Sequence, residues 1–533
     1  MRITNLIYVF VFTFGLLFNG KINAQYNLSV ASEIVYPAGY EMSGCWGYTD
    51  GTGKEYAIIG TSLGTSIVNI TTPEAPEELF FIPGAESIWR EAKVWNNHAY
   101  ISTEAADEGM LIIDLTNLPL SIDTAYFKGN ILHPFTAAHT IFIDENGFCY
   151  LFGFSGAATG LGGAYIVDLN PDPKNPVYVG AYTNAYIHDG FVRNDTLWAA
   201  EIYDGRFEVL DVSDKTDIVL LGSQNTGASA THNCWLSDDG KYLFTTDEIN
   251  YGFIESYHVE DVSDMVKLDG IKHGDPDSTV AHNVYYLNGY LISAHYTEGV
   301  TIHDAHKPEN LIEVAHYDTS PFGPNSGYSG VWGVYPYFES GNIVATDRIG
   351  TTFILQPSYT RACYLEGNIK DVTTGLNIYD AEINIIGTSA SDNTNVSGDY
   401  KTGYYASGIY AIEISRVGCD TKIINSIELI PGVKTELNET LECGNIAVSE
   451  IITDVDLNIF YDVSTKNIVI KYAINNSKTA EILFLNIGGQ IINSFAISGS
   501  GEQNINRNSL APGCYFVRYN DGAFIQNKKI MVY

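Results

Sequence analysis

Short runs of alternating apolar and polar residues, separated by Gly, Asn, Asp and Pro, recur along residues 45–355. Seven copies of this pattern follow one another, and successive copies begin 44, 49, 49, 44, 50 and 50 residues apart. Their first residues are Trp46, Arg90, His139, His188, His232, His282 and Trp332. Repeats of about 40–50 residues with several short strands each are typical of a β-propeller. The pattern predicts seven blades over residues 26–357, or six or eight if one end of the repeat is misplaced.

The third copy gives the strands of one blade. Residues 139–143 and 148–154 form an alternating hairpin around an Asn-Gly turn, because Asn-Gly readily adopts the positive φ angles of tight turns. Residues 164–168 are the third strand, and residues 177–182 are the outer strand after a turn bounded by prolines. We therefore expect four antiparallel strands in each blade.

The third strand ends on an acidic residue in most copies, and this pattern recurs at residues 111–114, 208–211, 258–261 and 301–304. The seventh copy lacks an outer strand, which residues 28–35 could supply. Such a pairing would close the ring and leave no sheet edge exposed.

The composition agrees with an all-β fold. The chain has 533 residues, of which 13% are aromatic, 17% are charged and 50 are glycine. Aromatic residues favour strands, and glycine favours the turns that join them. The formal net charge of −35 indicates a soluble extracellular protein and argues against nucleic-acid binding. A narrower interpretation of this charge is an affinity for cations.

Residues 1–24 have the features of a secretory signal peptide. Arg2 gives the positive start, residues 6–18 are apolar, and Ala24 is a cleavage point. The apolar run is shorter than the roughly 20 residues that a membrane-spanning helix needs, and no other stretch approaches that length. We expect a mature chain without a transmembrane helix, at the outer-membrane surface or outside the cell.

Seven cysteines are present, and no two of them form a close Cys-x-x-Cys pair. This spacing gives no zinc-ribbon or thioredoxin-type site. Outside the cell, Cys419 could pair with Cys443, or Cys363 with either of them. The sequence leaves these pairings open.

Residues 361–443 form a second unit after the repeat ends. Short alternating strands with Gly turns include Gly-Asn-Ile-Lys-Asp at 367–371, Ser-Gly-Asp-Tyr at 397–400 and Ser-Gly-Ile-Tyr at 407–410. This pattern predicts a small β-sandwich. It resembles the carboxypeptidase regulatory-like domain, and the resemblance implies a transthyretin-like structural spacer without peptidase activity.

Residues 456–533 form a third unit. It contains Gly-Gly-Gln at 488–490, Leu-Ala-Pro-Gly at 510–513 and a terminal Lys-Lys-Ile-Met-Val-Tyr. These motifs, in this order, resemble the C-terminal sorting domain of type IX secretion in Bacteroidota. The opening, Phe-Tyr-Asp-Val-Ser at 460–464, differs from the Tyr-Pro-Asn-Pro often found in that family. The resemblance implies a β-sandwich that directs export by the type IX secretion machinery, followed by its removal and by release or surface anchoring of the rest.

The repeats themselves also resemble a known family. Third strands of the Ile-Val-Asp-Leu type, followed by Pro-rich turns, resemble those of LVIVD-repeat propellers. The whole block of residues 45–355 resembles the choice-of-anchor B family, in which a propeller is carried on different C-terminal anchors. This resemblance implies the fold and an anchor, but no biochemical activity.

Candidate chemistry follows from the hairpins, because residues equidistant from the turn face each other in an antiparallel pair. This rule predicts three pairs: His188 with Glu201, His232 with Asp247, and His282 with His295. A further hairpin places Arg90 near Glu104, whereas His139 faces Phe154 and departs from the pattern. Since the first strand of each blade lines the channel, we expect these groups to converge at one mouth of the channel.

Imidazoles with carboxylates suit divalent Zn, Mn, Fe or Cu, and an open coordination position would allow metal-bound water to act as a nucleophile. The candidate metal ligands are His139, His188, Glu201, His232, Asp247, His282 and His295. Glu248, Asp347 and Arg348 are weaker candidates for the same mouth. The alternative is structural, because a repeat reproduces its polar residues in every copy and they often hydrogen-bond one blade to the next.

Three functional hypotheses remain. The first is a surface module that binds a protein, peptide or glycan at the propeller mouth. The second is a metal-dependent hydrolase or oxidase at the histidine-rich mouth, and the third is a purely structural role. The fold alone does not decide among them, because propellers have many functions.

Overall fold

The computed structural model describes residues 25–156, 162–250, 252–272, 279–319, 327–443, 456–462, 467–474, 479–486, 490–510, 513–520 and 525–532. Every regular element in this part of the chain is a β-strand, apart from the short 3-10 helix Arg507–Ser509. The predicted all-β class is therefore confirmed. The predicted signal peptide lies outside the described residues. No helix in the described ranges is long and apolar enough to cross a membrane.

The chain divides into two compact units. The first contains the described residues up to Ser415 together with Thr421–Leu441, and the second contains Arg416–Asp420 and Glu442–Tyr533. The candidate site lies in the first unit.

Most of the first unit consists of four-stranded antiparallel sheets. The strand β1 is Leu28–Val35. Sheet 1 contains β2 Met42–Thr49, β3 Glu55–Thr61, β4 Gly64–Asn69 and β5 Glu77–Pro83. Sheet 2 contains β6 Arg90–Trp95, β7 His98–Thr103, β8 Met110–Asp114 and β9 Asp123–Phe127. A short ribbon pairs β10 Phe135–Ala137 with β13 Ser155–Gly156, and sheet 3 contains β11 Thr140–Ile143, β12 Phe148–Phe152, β14 Ala164–Asp168 and β15 Val177–Tyr182.

Four more sheets continue the series. Sheet 4 contains β16 Asp189–Arg193, β17 Thr196–Glu201, β18 Arg206–Asp211 and β19 Val219–Asn225. Sheet 5 contains β20 Thr231–Leu236, β21 Tyr242–Asp247, β22 Ile254–His258 and β23 Val266–Ile271. Sheet 6 contains β24 Val284–Leu287, β25 Tyr290–Ala294, β26 Val300–Asp304 and β27 Ile312–Tyr317. Sheet 7 contains β28 Val331–Tyr335, β29 Ile343–Asp347 and β30 Thr351–Pro357, with β1 as its fourth strand.

The hairpins form where the sequence places Asn, Asp and Gly. The two-residue turn Asn194-Asp195 has positive φ angles of 51° and 56°, and Asn288-Gly289 has φ angles of 49° and 84°. Two successive positive φ angles match the right-handed twist of the flanking strands, so they set the register of each hairpin. The predicted turns at these positions are confirmed.

The sheets follow one another through their first strands. Along the chain, β2 lies against β6, β6 against β11, β11 against β16, β16 against β20, and β20 against β24. The first strand of sheet 7, β28, lies against β25 of sheet 6 and against β2 of sheet 1. The contacts therefore return to their starting point. In sheet 7, β1 pairs with β30 over residues 28–35, which confirms the predicted source of the missing outer strand.

One predicted third strand is misplaced. In sheet 5 the third strand β22 ends at His258, so residues 259–261 lie beyond it. His258 pairs with Tyr242, as Asp168 pairs with Phe148 in sheet 3. The acidic residue Asp261 instead accepts a hydrogen bond from the Ser263 backbone N–H at 2.9 Å and belongs to the following turn.

The apolar core lies largely between neighbouring sheets. One cluster joins Phe152 of sheet 3, Leu197 of sheet 4 and Leu243 of sheet 5, all completely buried. Aromatic side chains of the first strands continue this packing, with ring centroids 5.1 Å apart for Phe142 and Phe191. Burial of such side chains is the main stabilising contribution to a fold of this kind.

The remainder of the first unit is a pair of small sheets. The strands are β31 Cys363–Asp371, β32 Glu382–Ile385, β33 Ser391–Asn393, β34 Asp399–Tyr404, β35 Gly408–Ser415, β36 Lys422–Leu429, β37 Lys434–Glu436 and β38 Glu439–Leu441. One sheet has the order β34-β31-β37 with β38 also on β31, and the other has the order β33-β32-β35-β36. Polar contacts fix this region to sheet 6, including a 2.9 Å ion pair between Arg361 Nε and Asp304 Oδ2.

The second unit contains β39 Asp456–Asp462, β40 Asn467–Ala473, β41 Thr479–Asn486, β42 Ile491–Ser498, β43 Ser500–Asn506, β44 Gly513–Asn520 and β45 Ile525–Val532. They form two sheets, β39-β40-β43 and β42-β41-β44-β45. A disulfide joins Cys419 to Cys443, one of the predicted pairings, and Cys363 is a buried free thiol.

Candidate functional site

Four imidazole rings from four successive sheets lie side by side. This His row consists of His139, His188, His232 and His282, one from each of sheets 3 to 6. Neighbouring ring centroids are 4.1, 4.3 and 4.3 Å apart along the row. The structure thus brings together four of the seven predicted site residues.

The backbone places these rings where the first strands begin. The N–H groups of His139, His188 and His282 donate to the carbonyls of Phe152, Ala200 and Ala294 at 2.9, 2.8 and 3.0 Å. These bonds extend the hairpins beyond the regular strands, by one residue at His139 and His188 and by two at His282. His232 lies inside β20, at a β-bulge between Thr231 and Asn233. A bulge redirects side chains locally, and the His232 ring lies within the row.

Glu248 supplies a carboxylate to the His row. Its Oε2 lies 3.6 Å from His232 Nε2, and its Oε1 lies 3.9 Å from His282 Nε2. The Tyr296 hydroxyl donates a hydrogen bond to the same carboxylate. Ligand-capable atoms of His188, His232 and Glu248 all lie within 4.8 Å of one another, and they are the only such group of three in the described residues.

The two outer rings of the row are held by hydrogen bonds. His282 Nδ1–H donates to the Trp332 carbonyl at 2.6 Å, and His139 Nδ1–H donates to Glu104 Oε1 at 2.5 Å. The two central rings lack a bond of this geometry: the buried Nδ1 atoms of His188 and His232 make no hydrogen bond within the described residues, although the His282 backbone lies close enough to His232 to raise its pKa. Buried polar atoms are normally paired, so these two nitrogens require an explanation.

Burial keeps the central imidazoles neutral. It lowers the pKa of His188 and of His232 well below the usual range, and neighbouring imidazoles of the row lower both further. Burial also lowers the pKa of His282 to about 3, although the bond to the Trp332 carbonyl opposes this shift. The pKa of Glu248 is raised to about 7, chiefly by burial. Neutral imidazole is the form that binds metal ions.

Beside the His row lies a small cavity of about 10 Å³, whose lining includes His139, His232, His282, Glu91 and Trp332. A cavity of roughly 10–15 Å³ has room for a single water molecule. The Trp332 indole Nε1–H donates to Glu91 Oε1 at 3.0 Å. The interior next to the row is therefore polar and very narrow.

Two predicted acidic partners are turned away from the row. The bulge in β20 shifts the register, so Asp247 pairs with Thr231 and the predicted pairing with His232 is wrong. Asp247 instead accepts hydrogen bonds from Thr226 Oγ1 and from the backbone of Ala228 and Ala230, at 2.5, 2.7 and 3.1 Å.

Glu201 follows the expected backbone register, because the neighbouring pair is Asp189 with Ala200. Its side chain, however, accepts a 2.8 Å hydrogen bond from Arg206 Nε. The expected contact with His188 is therefore replaced by an ion pair within sheet 4.

His295 and Phe154 are two further residues that the sequence analysis placed opposite histidines of the row. His295 is buried after β25, and its backbone N–H donates to Gly299 at 2.9 Å. It is not part of the group formed by His188, His232 and Glu248. The register Thr140 with Phe152 shows that Phe154 does not face His139, so that expectation is wrong by one residue.

Sequence reasoning underrated Glu248 and assigned Glu104 to the wrong partner. Each glutamate comes one residue after the second strand of its sheet, Glu104 after β7 and Glu248 after β21. The sequence signal for both glutamates was their position at the end of a second strand. In an antiparallel hairpin that end lies beside the start of the first strand, where the histidines of the row are found. Glu104 contacts His139 of the next sheet, which a rule restricted to single hairpins misses.

A wide cleft opens near the His row. The Arg348 cleft, about 590 Å³ in volume, is lined by Gly39, Tyr40, Glu41, Tyr328, Ser329, Arg348 and Ile349. Arg348 Nη2 pairs with Glu41 Oε2 at 2.9 Å, and its guanidinium carbon lies 5.3 Å from the centre of the Trp332 ring. The Trp332 carbonyl also accepts the hydrogen bond from His282, so Trp332 contacts one residue of the cleft and one of the His row.

Comparison with known proteins gives one family. Residues 464–533 match the family described as Secretion system C-terminal sorting domain. The chain thus carries a type IX sorting tail, which implies export to the cell surface or the extracellular space. None of the curated proteins compared with the chain matches it.

Proposed function

We propose that this protein is an exported β-propeller that binds a surface ligand at one mouth of its channel. The succession of four-stranded sheets, the return of contacts from β28 to β2 and the closure by β1 support a seven-bladed ring. The resemblance to LVIVD-repeat propellers of the choice-of-anchor B family agrees with this architecture. The strands of residues 363–441 agree with a carboxypeptidase regulatory-like sandwich acting as a spacer before the sorting domain.

The observation that carries the binding role is the Arg348 cleft. Its volume of about 590 Å³ lies within the roughly 300–1,000 Å³ of typical ligand pockets. Tyr40 and Tyr328 offer aromatic faces, and the Glu41–Arg348 pair offers charged donors and acceptors. Aromatic faces beside directional polar groups suit a glycan, a peptide or a protein side chain.

A hydrolase at the His row has less support. His188, His232 and His282 are all more than nine-tenths buried, and the adjoining cavity of about 10 Å³ has room for about one water molecule. A hydrolytic substrate needs access to the reacting centre. Access therefore favours ligand binding at the Arg348 cleft over hydrolysis at the His row.

The test is a binding screen of the chain from residue 25 onward against glycan and peptide arrays. We expect a ligand whose affinity falls at least tenfold in Arg348→Ala and in Tyr328→Ala. Tyr379→Ala is the matched control, because Tyr379 is 55% exposed but lies in the spacer region. A ligand that binds all variants equally would refute the cleft. Turnover of an array compound, lost on mutation of the His row, would favour the hydrolase instead.

A further inference from the structure

We propose that His188, His232 and Glu248 bind one divalent transition-metal ion, with His282 as the fourth ligand. This site is separate from the Arg348 cleft and does not depend on what the cleft binds. The ligand-capable atoms of the first three residues are already within 4.8 Å of one another. Ligands of a tetrahedral ion with bonds of about 2.0–2.2 Å are roughly 3.4 Å apart, so small side-chain rotations complete the site.

The central pair of imidazoles distinguishes a metal site from simple blade-to-blade hydrogen bonding. His139 and His282 each make a hydrogen bond to a neighbouring sheet, as a structural role requires. His188 and His232 are just as deeply buried, yet each has a buried nitrogen without a hydrogen-bond partner among the described residues. Leaving such groups unsatisfied costs free energy. A metal ion held beside Glu248 supplies both rings with a bonded partner that the described residues of the neighbouring sheets do not supply.

His282 is prepared for ligation by its hydrogen bond. Because Nδ1 carries the proton donated to the Trp332 carbonyl, Nε2 of the neutral ring has a free lone pair. That atom lies 3.9 Å from Glu248 Oε1. Metal-binding histidines commonly donate their other N–H to a carbonyl or carboxylate in this way.

The donor set selects the class of ion. Three neutral imidazoles and one carboxylate suit Zn²⁺, Cu²⁺, Fe²⁺ or Mn²⁺, whereas Ca²⁺ prefers six to eight oxygen ligands, as a general rule. The acidic side chains of Glu91, Glu104 and Glu248 lie around the row. A bound cation offsets their negative charge in a buried setting.

The experiment loads the chain from residue 25 onward with metal after removal of bound ions by a chelator. Zn²⁺ and Cu²⁺ are added separately, excess ion is removed by desalting, and the metal-to-protein ratio is measured by elemental analysis. We expect one ion per chain and, for Cu²⁺, an electron paramagnetic resonance spectrum with nitrogen hyperfine splitting. A ratio below one tenth with both ions would refute the site.

Two variants test the ligands. Glu248→Gln preserves the size of the side chain and a hydrogen-bond acceptor for Tyr296, and His232→Gln removes a central imidazole. We expect metal affinity to fall at least tenfold in each variant. We also expect metal to raise the melting temperature of the parent chain but not that of either variant. If His232→Gln does not fold, Glu248→Gln alone decides.

Glu104→Gln is the matched control. Glu104 is a carboxylate at the same row, but its hydrogen bond is to the outer ring of His139 and it is not in the group formed by His188, His232 and Glu248. We expect it to retain full metal binding. Loss of metal in this control with retention in Glu248→Gln would overturn the ligand assignment, even though the row would still bind metal.

Discussion

Glu201 is a completely buried carboxyl group that shares a cation with a second one. Arg206 donates to Glu201 Oε2 through Nε and to Glu208 Oε1 through Nη2, both at 2.8 Å. Burial raises the pKa of Glu201 above its usual range, and the neighbouring negative charge of Glu208 raises it further. The folded chain therefore keeps a proton on Glu201 at pH values where the unfolded chain has lost it.

This proton makes stability depend on pH. Since the folded-state pKa is raised, the unfolding free energy falls as the pH rises from the ordinary glutamate pKa towards the folded value. Glu201→Gln resembles the protonated form, so we expect it to abolish this fall. At pH 8 the variant should be more stable than the parent by about 1–3 kcal/mol, and at pH 4.5 nearly equal to it.

Urea denaturation at several pH values measures this difference. Glu74→Gln is the control, because Glu74 is exposed and its removal should leave the pH profile unchanged. Parallel profiles for Glu201→Gln and the parent would mean that Glu201 is ionised in the folded protein.

At the level of residues, the sequence predicted which histidines come together better than it predicted which carboxylates contact them. The rule for facing residues depends on an uninterrupted register, and it holds where Asn194-Asp195 closes the turn. It fails at His232, because a bulge in β20 is not encoded by any local signal that we could identify. Glu104 reaches His139, and Glu248 reaches His282, across sheet boundaries, and such contacts depend on the packing of whole sheets.

At the level of elements, a shared irregularity positions the outer strands. In sheet 3 the register between β14 and β15 shifts by one residue between Ile166 and Val167, and sheet 4 has the same shift between β18 and β19. A glycine borders the bulge in both, Gly180 and Gly222. A Cβ atom on Gly180 would lie 1.7 Å from the Lys215 carbonyl oxygen of the next sheet. The glycine therefore permits close contact between neighbouring sheets.

Gly180→Ala should weaken that contact. Backbone atoms cannot move aside as a flexible side chain can, so we expect a loss of about 1–3 kcal/mol in unfolding free energy. Gly51→Ala is the control, because nothing lies within 4 Å of a Cβ atom there. Chemical denaturation of both variants measures the difference. Equal stability of the two variants would show that sheets 3 and 4 separate at little cost.

Strand positions were largely predictable, because turns and alternation are local properties. Asn-Gly and Asn-Asp turns gave the hairpins, and the acidic ends of third strands marked sheets 2, 3, 4 and 6. Sheet 5 departed from this pattern because His258 occupies the place of the acidic residue. The outer-strand bulges were not predicted, although a glycine borders those of sheets 3 and 4.

At the level of the whole molecule, the period of the repeat carried more information than any motif. The last copy of the repeat lacks an outer strand. That strand is supplied by β1, which precedes the first copy in the sequence. The sorting tail gives the destination independently of the fold. The site was less predictable, because its geometry arises only when several sheets meet.

The pairing of β1 with β30 yields a final prediction with an internal control. Leu28 and Val35 are the two ends of this strand, but Leu28 is 6% exposed and Val35 is 73% exposed. Leu28 packs in the same core cluster as Phe353 and Leu355 of β30. Leu28→Asp places a carboxylate in that apolar cluster and should reduce the unfolding free energy by about 2–4 kcal/mol.

Val35→Asp makes the same chemical change on the solvent side and should cost less than about 0.5 kcal/mol. Loss of β1 also uncovers the edge of β30, and exposed edges pair with other chains. Leu28→Asp should therefore form oligomers in size-exclusion chromatography at protein concentrations where Val35→Asp remains monomeric or matches the parent. If both variants denature at the same urea concentration as the parent, the contacts between β28 and β2 hold sheet 7 against sheet 1 without β1.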